Sequence, residues 1–199
     1  MLCATIAWRN EFKPESIAAA DVLMQGCTGK VYVHGVDREG RPIIVMRPGY
    51  ENMPGHPDNM RNLVFTLERA CAESGDSKFC VLLDFSHYSI AKFPSLATSK
   101  ATLSVLQDHY PERLGMAVIV NPPQLFSALY SAISPFVDPV TRAKIMFVKG
   151  EKQLRQQIDP AQISLSLGGT AQEFDPDVYY PGGLTAEARA ERQRFMKTL

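Results

Sequence analysis

The sequence lacks an excess of either charge, with 21 Lys and Arg set against 21 Asp and Glu in 199 residues. Binding to a phosphate backbone needs clustered Lys and Arg, so nucleic acid is excluded as the main partner. There is no run of roughly 18 apolar residues, the length a bilayer-spanning helix needs. The longest apolar stretches, such as Met116-Ala117-Val118-Ile119-Val120, are of strand length. The N-terminus lacks the basic-then-apolar layout of a secretory signal, because Trp8-Arg9-Asn10-Glu11 interrupts it. Cysteine is scarce. The four thiols, at 3, 27, 71 and 80, form no C-x-x-C pair and have no His at zinc-finger spacing. They read as reduced, buried, small apolar side chains of a cytoplasmic protein.

Catalytic signatures are missing as well. The chain has no G-x-G-x-x-G, no G-x-x-x-x-G-K-[ST] and no G-x-S-x-G, and its histidines at 34, 56, 87 and 109 show no H-E-x-x-H spacing. Asp84-Phe85-Ser86-His87 holds triad residue types, but consecutive residues are tethered too closely to converge as a triad. They read better as groups that satisfy the backbone where a strand leaves the sheet. No catalytic residue, metal ligand or cofactor is expected, and the chain is not expected to be an enzyme.

What is present is a strong alternation of helical and strand patterns. Leu2, Ile6, Phe12 and Ile17 suggest a helix that frays before Pro14, and a second helix is expected from Pro14 to Leu23. Val31–His34 and Ile43–Met46 flank the polar turn Asp37-Arg38-Glu39-Gly40-Arg41-Pro42, a hairpin signal. Pro48 to Pro57 reads as a loop. Met60, Leu63, Val64, Leu67 and Cys71 form the apolar stripe of a helix over 57–74, and Leu96, Leu103, Leu106 and Tyr110 do so over 94–110. Phe79–Leu83, Met116–Val120 and Ile145–Val148 read as strands buried on both faces. Between the last two, Asn121 is expected to cap a helix from Pro122 whose apolar face is Leu125, Phe126, Leu129, Tyr130 and Ile133. The pattern is α/β, with a largely parallel sheet, crossover helices and one antiparallel edge. After Gly168-Gly169 the chain turns polar, and 185–197 reads as an exposed helical tail. One further spacing suggests chemistry. Thr141 and Lys144 lie three apart, on one face of a helical turn, where a hydroxyl and an ammonium can hold a phosphate.

Four segments in order carry a resemblance: His34-Gly35-Val36-Asp37-Arg38-Glu39-Gly40-Arg41-Pro42, Gln107-Asp108-His109-Tyr110-Pro111-Glu112-Arg113-Leu114-Gly115, Asn121-Pro122-Pro123, and Pro135-Phe136-Val137-Asp138-Pro139-Val140-Thr141-Arg142-Ala143-Lys144-Ile145. Together they resemble the CRAL-TRIO lipid-binding domain, and most of all the fungal phosphatidylinositol transfer proteins of the yeast secretory type. The resemblance implies a CRAL-TRIO-like α/β fold whose sheet floors an apolar lipid pocket closed by a helical gate, here 122–136. It divides the chain into a remnant N-terminal helical segment (1–29), the lipid-binding domain (30–169) and a polar tail (170–199). By position it assigns the phosphodiester to Thr141 and Lys144, the inositol hydroxyls to Asp37 and Glu112, and the shape of the turn to Pro42. Glu112 is expected to orient Lys144 as a buried pair, and Arg113 to brace the fold through an ion pair. Leu125, Phe126, Leu129, Ile133 and Phe136 would line gate and pocket.

Two departures follow from the same comparison. Members that also carry phosphatidylcholine hold its phosphate with a Tyr, a Ser and a Thr, where this chain has Leu67, Phe79 and Val81. A buried phosphocholine would lose those partners. The space would suit a sterol or another apolar second lipid. Members also begin with several helices, one bearing a phosphate-binding arginine, ahead of the segment that matches Met1. That arginine has no counterpart here. The implied function is transfer of phosphatidylinositol by a cytoplasmic protein that touches membranes transiently. The alternatives are a sterol or other hydrophobic-ligand binder and a lipid-presenting regulatory module.

Overall fold

The computed structural model describes residues 2–75, 78–89 and 96–199, without the side chains of Leu96, Leu125, Ser127, Leu129 and Ile133. Helices α1 (Leu2–Phe12) and α2 (Ala19–Gly26) lead into strands β1 (Val31–Val36) and β2 (Pro42–Met46). Then follow α3 (Asp58–Ser74), β3 (Phe79–Asp84), α4 (Leu96–His109), β4 (Leu114–Val120), α5 (Gln124–Ile133), α6 (Pro139–Ala143) and β5 (Ile145–Val148). Helices α7 (Gly150–Gln157), α8 (Pro176–Tyr179) and α9 (Ala186–Met196) complete the chain. The strands form one sheet in the order β1-β2-β3-β4-β5, antiparallel between β1 and β2 and parallel from β2 to β5. This is the α/β architecture that the alternating pattern predicts.

One face of the sheet is sealed. Tyr32, Val45, Leu82, Val118 and Val148 pack against Leu154 and Ile158 of α7 and against Ile163 and Leu167 in the turns beyond it. On the other face, α3 lays Leu63, Leu67 and Ala70 over Val33, Ile44 and Phe79. The C-terminal ends of β2 and β3 are closed by a buried ion pair. Arg47 Nε stands 3.4 Å from Asp84 Oδ2, and both side chains are enclosed. The Arg47 guanidinium lies 3.6 Å from the centre of the Tyr50 ring, and Asp84 Oδ1 accepts the Ser86 N–H at 2.9 Å. Asp84 thus satisfies the backbone at the strand exit, as its sequence context suggests.

Several expectations need correction. The second helix does not begin at Pro14: Pro14–Ser16 is a single 3-10 turn, and α2 starts at Ala19. Residues 94 and 95, the expected start of the fourth helix, lie outside the described residues. Asn121 does not cap α5. Its backbone is left-handed (φ 51°), and its Oδ1 instead accepts the Gly150 N–H at 3.1 Å, at the start of α7. Of the four free thiols, Cys27 and Cys80 are buried, Cys71 is half-buried and Cys3 is exposed. The C-terminal segment is no exposed tail, because Tyr180, Leu184 and Ala188 share a core with Ile17, Val22, Leu23 and Val64. The sequence hides this because α9 has only three buried positions, Ala188, Glu191 and Phe195, too few to make a visible apolar stripe.

α1 buries no residue fully and is held by polar contacts and stacking. Arg9 grips Glu68 of α3 through both oxygens, at 2.9 and 3.0 Å, and Tyr110 donates to Glu68 Oε1 at 2.7 Å. Trp8 stacks on His109, with centroids 4.1 Å apart. Burial is the largest single influence on Glu68 and raises its pKa. The hydrogen bonds from Arg9 and Tyr110, with the charges of Arg9 and Arg113, outweigh it and hold the carboxyl below the usual glutamate range. A folded-state value depressed in this way stabilises fully above the unfolded value, about 4.5, and is lost as pH falls through the folded value. Solvent screening of this partly exposed pair limits its contribution to about 1 kcal/mol. Urea unfolding is therefore expected to separate wild type from Glu68→Gln at pH 7, with the gap narrowing as pH falls below about 4.5. At Gly26, a Cβ would stand 1.7 Å from Tyr180 Oη. Gly26→Ala is expected to destabilise by about 1–3 kcal/mol and to expose the segment after 170 to limited proteolysis.

Candidate functional site

Parallel strands are normally covered on both faces. Inner strands β3 and β4 are sealed on the α7 side but not on the other. Val81, Leu83 and Ala117 are only half-buried, as is Ile145 of β5, and Phe147 is 48% exposed. α3 covers the sheet as far as Phe79, and α5 covers only its C-terminal part. The strip between them is an apolar groove that runs along the strands. Aromatic rings close its C-terminal end: Phe126 meets Phe85 with centroids 4.7 Å apart, and Tyr130 meets Phe147 at 5.2 Å.

The structure sorts the expected gate and pocket residues. Phe126 is buried over Ile119, and Val81 lies on the half-buried floor. Leu67 and Phe79 are sealed between α3 and the sheet, so neither lines the groove and no space is vacated at them. Phe136, in the 3-10 turn Ser134–Phe136 that continues α5, is 52% exposed and packs its ring 4.3 Å beneath Lys100 Nζ, not inside the pocket. The side chains of Leu125, Leu129 and Ile133 lie outside the described residues.

The strand register brings the expected polar residues to one edge of the sheet, at the N-terminal ends of the parallel strands. Pro42 opens β2, Phe79 opens β3 opposite Leu114 of β4, and Lys144 immediately precedes β5. Pro42 is buried opposite Val36, where it closes the hairpin turn. The Asp37 carboxylate points inward. Oδ1 accepts the N–H groups of Glu39 and Arg41 at 2.9 and 3.0 Å, Oδ2 accepts Arg41 Nε at 2.6 Å, and the side chain has no exposed surface. Asp37 therefore builds this edge and does not face a headgroup in this conformation. Glu112 is exposed and left-handed (φ 59°), two residues ahead of β4. Asp138 accepts the N–H groups of Val140 and Thr141 at 2.8 and 3.1 Å and so starts α6, which ends at Lys144. Among the described residues, the Glu112 carboxylate, the Thr141 hydroxyl and the Lys144 ammonium have no hydrogen bond or ion pair, and the expected Glu112–Lys144 pair is not formed. An ion pair is expected of Arg113, and the contact seen is a hydrogen bond from its Nη1 to the Gly75 carbonyl at 2.7 Å.

Sequence reasoning missed Arg41. Held by Asp37 and by Glu39 (Nη1–Oε2 3.0 Å), its side chain reaches across to β4, where a Cβ on Gly115 would stand 2.6 Å from its Cδ and Nη1. The signal was available, since an isolated Gly inside a strand often marks such a close approach.

A half-covered apolar floor, with Lys144 directly before its Ile145 and Thr141 one helical turn earlier, is of a kind suited to an amphiphile with an anionic head. A separate open depression of about 690 Å³ lies between 172–177 and α9. Its charges largely satisfy one another, as in the two Asp177–Arg189 bonds at 2.6 and 2.7 Å. Among the described residues no cluster of three or more His, Cys, Asp or Glu could hold a metal, and no helix is long and apolar enough to cross a membrane.

Comparison with known proteins agrees with this geometry. Residues 27–169 match the family model of the CRAL/TRIO domain. A CRAL-TRIO domain-containing protein of Schizosaccharomyces pombe is 32% identical over 180 residues, covering 89% of this chain and 18% of its own length. The phosphatidylinositol transfer protein PDR17 of Saccharomyces cerevisiae is 31% identical over 195 residues, covering 90% of this chain and 55% of its own. This chain thus spans about half the length of that relative, and less than a fifth of the other. The crystal structure of Sfh5 superposes with a TM-score of 0.72 over 97% of this chain and 75% of that one, at 20% identity, a likeness of fold. With the half-open groove and its polar edge, these matches establish that the chain belongs to the CRAL/TRIO domain family.

Proposed function

We propose that this domain binds phosphatidylinositol and carries it between membranes. One observation carries the reading: the apolar floor left half-covered on the inner strands continues to Ile145, directly after Lys144, and the polar groups of Thr141 and Lys144 have no partner among the described residues. Acyl chains would lie on Val81, Leu83, Ala117 and Ile145, replacing water on an apolar strip of the inner strands that is only half-buried. Lys144 and Thr141 would hold the phosphodiester through a charge-assisted and a neutral hydrogen bond. Glu112 would accept from inositol hydroxyls. Asp37 and Pro42 would act through the turn they build, with Asp37 fixing Arg41 beside the same edge. The relative named a phosphatidylinositol transfer protein, similar over 90% of this chain, supports the choice of lipid. Transient membrane contact by an otherwise cytoplasmic protein belongs to the same proposal, with α5 moving to admit the lipid.

A second reading, a sterol or other apolar ligand in the same groove, is favoured by a specific feature: none of the described floor side chains is a hydrogen-bonding group. The same feature speaks against phosphatidylcholine, because Val81, which alone of the three matching positions lies on the floor, offers its phosphate no donor.

Mass spectrometry of lipid extracted with the purified protein is expected to show phosphatidylinositol. Transfer between vesicles is expected to be robust for phosphatidylinositol and near background for phosphatidylcholine. Lys144→Ala is expected to lower phosphatidylinositol transfer about 10- to 100-fold, the cost of one charge-assisted contact. Transfer at the wild-type rate by Lys144→Ala, or a sterol as the extracted ligand, would overturn the headgroup assignment.

A further inference from the structure

Helix α4 grips the far end of the gate from one face. Lys100 and Gln107, two turns apart, both reach the segment that joins α5 to α6. Lys100 Nζ sits over the Phe136 ring. The Gln107 amide engages the backbone on both sides of Val137, with Nε2 donating to the Phe136 carbonyl at 3.1 Å and Oε1 accepting the Asp138 N–H at 3.1 Å. A primary amide presents donor and acceptor side by side as a peptide group does, so one side chain completes both backbone bonds.

The two ends of this clamp belong to different parts of the site. Phe136 is the last residue of the turn that continues α5, whose Phe126 and Tyr130 pack over the end of the floor. Asp138 is the residue that starts α6, the five-residue helix carrying Thr141 and leading to Lys144. A helix that short has little stability of its own and depends on its attachments. α4 is the fixed member, tied to α1 by the Thr5 hydroxyl on the Asp108 carbonyl at 2.8 Å and by the Trp8–His109 stack.

We infer that Gln107 is a positioning residue that couples the gate to the headgroup edge, so that release of α5 from the groove and loosening of Thr141 and Lys144 occur as one event. The inference rests on the proposed phosphatidylinositol carriage. When α5 swings away it draws the Phe136 carbonyl off the amide. The amide then loses its register on Asp138, and α6 loses the support that holds its first turn. Lipid tails and headgroup are freed together, and a half-released lipid with its tails in water is avoided.

The test compares wild type with Gln107→Met, which keeps the chain length and removes both bonds, and with Gln107→Glu, which keeps an acceptor for Asp138 but presents no donor to Phe136. Each protein is loaded with fluorescent phosphatidylinositol. Its release to acceptor vesicles is timed, and amide hydrogen exchange is measured at 138–143. Gln107→Met is expected to release lipid about 3- to 10-fold faster, the effect of losing one to two partly exposed hydrogen bonds, and to exchange faster over 138–143. Gln107→Glu is expected to release faster while 138–143 stays protected, which separates the two halves of the clamp. Release at the wild-type rate by Gln107→Met overturns the coupling, as does a lowered Tm with unchanged release, the mark of a merely structural brace. If wild type itself carries no phosphatidylinositol, the carriage reading falls and the coupling falls with it. If wild type carries lipid and Gln107→Met matches it, only the coupling falls.

Discussion

The condition that both faces of a parallel sheet be covered governs this protein, because among the described residues one face is sealed and the other only partly covered. α7 and the turns after it seal the first face with Leu154, Ile158, Ile163 and Leu167. On the second, α3 stops at Phe79 and α5 covers only the far end, so Val81, Leu83, Ala117 and Ile145 remain partly wet. Apolar area held against water costs about 25 cal/mol per Å². A groove of this kind is tolerated when a ligand supplies the missing cover, and the domain without lipid is in that sense incompletely packed.

The same condition decides which end of the sheet does the work. Open α/β sheets usually bind ligands beyond the C-terminal ends of their strands. Here that end is closed at β2 and β3 by the enclosed Arg47–Asp84 pair under Tyr50, and at β4 by Phe85 and Phe126. At the opposite, N-terminal ends lie the backbone positions of Glu112, ahead of β4, and of Thr141 and Lys144, ahead of β5, whose polar groups have no partner among the described residues. Arg41, tied down by Asp37 and laid over Gly115, sets the same edge from the β2 side. Replacing a buried ion pair with apolar side chains is often neutral for stability, so the Arg47–Asp84 pair matters here chiefly as the plug that closes the C-terminal ends of β2 and β3.

Most of the fold was legible because it is written in local periodicities: 3.6 in α3, a continuous apolar run in β3, β4 and β5, and a polar Gly-containing turn between β1 and β2. The errors fell where a residue's role depends on a distant neighbour. Asn121 has the composition of a cap for the helix beside it, yet its carbonyl serves Gly150 on α7. Asp37 looks like a free acidic turn residue until its own turn folds back to use both oxygens. Leu67, Phe79 and Val81 occupy equivalent positions by resemblance, but packing puts the first two in the core and only the third on the floor. Phe136 belongs to an apolar run and still faces out under Lys100.

The sequence by itself determined the α/β class, the strand and helix order and the family, since these rest on short-range patterns and on motifs that keep their spacing. It also placed Thr141 and Lys144 together, because a single helical turn fixes their relation. Tertiary structure alone decided that inner strands would be left half-covered, that the C-terminal segment would dock into a core through Tyr180, Leu184 and Ala188, and that Gln107 would join α5 to α6. Each of these is set by which surfaces meet across the sheet, and a chain read residue by residue carries no record of how much of a strand its distant helices are long enough to cover.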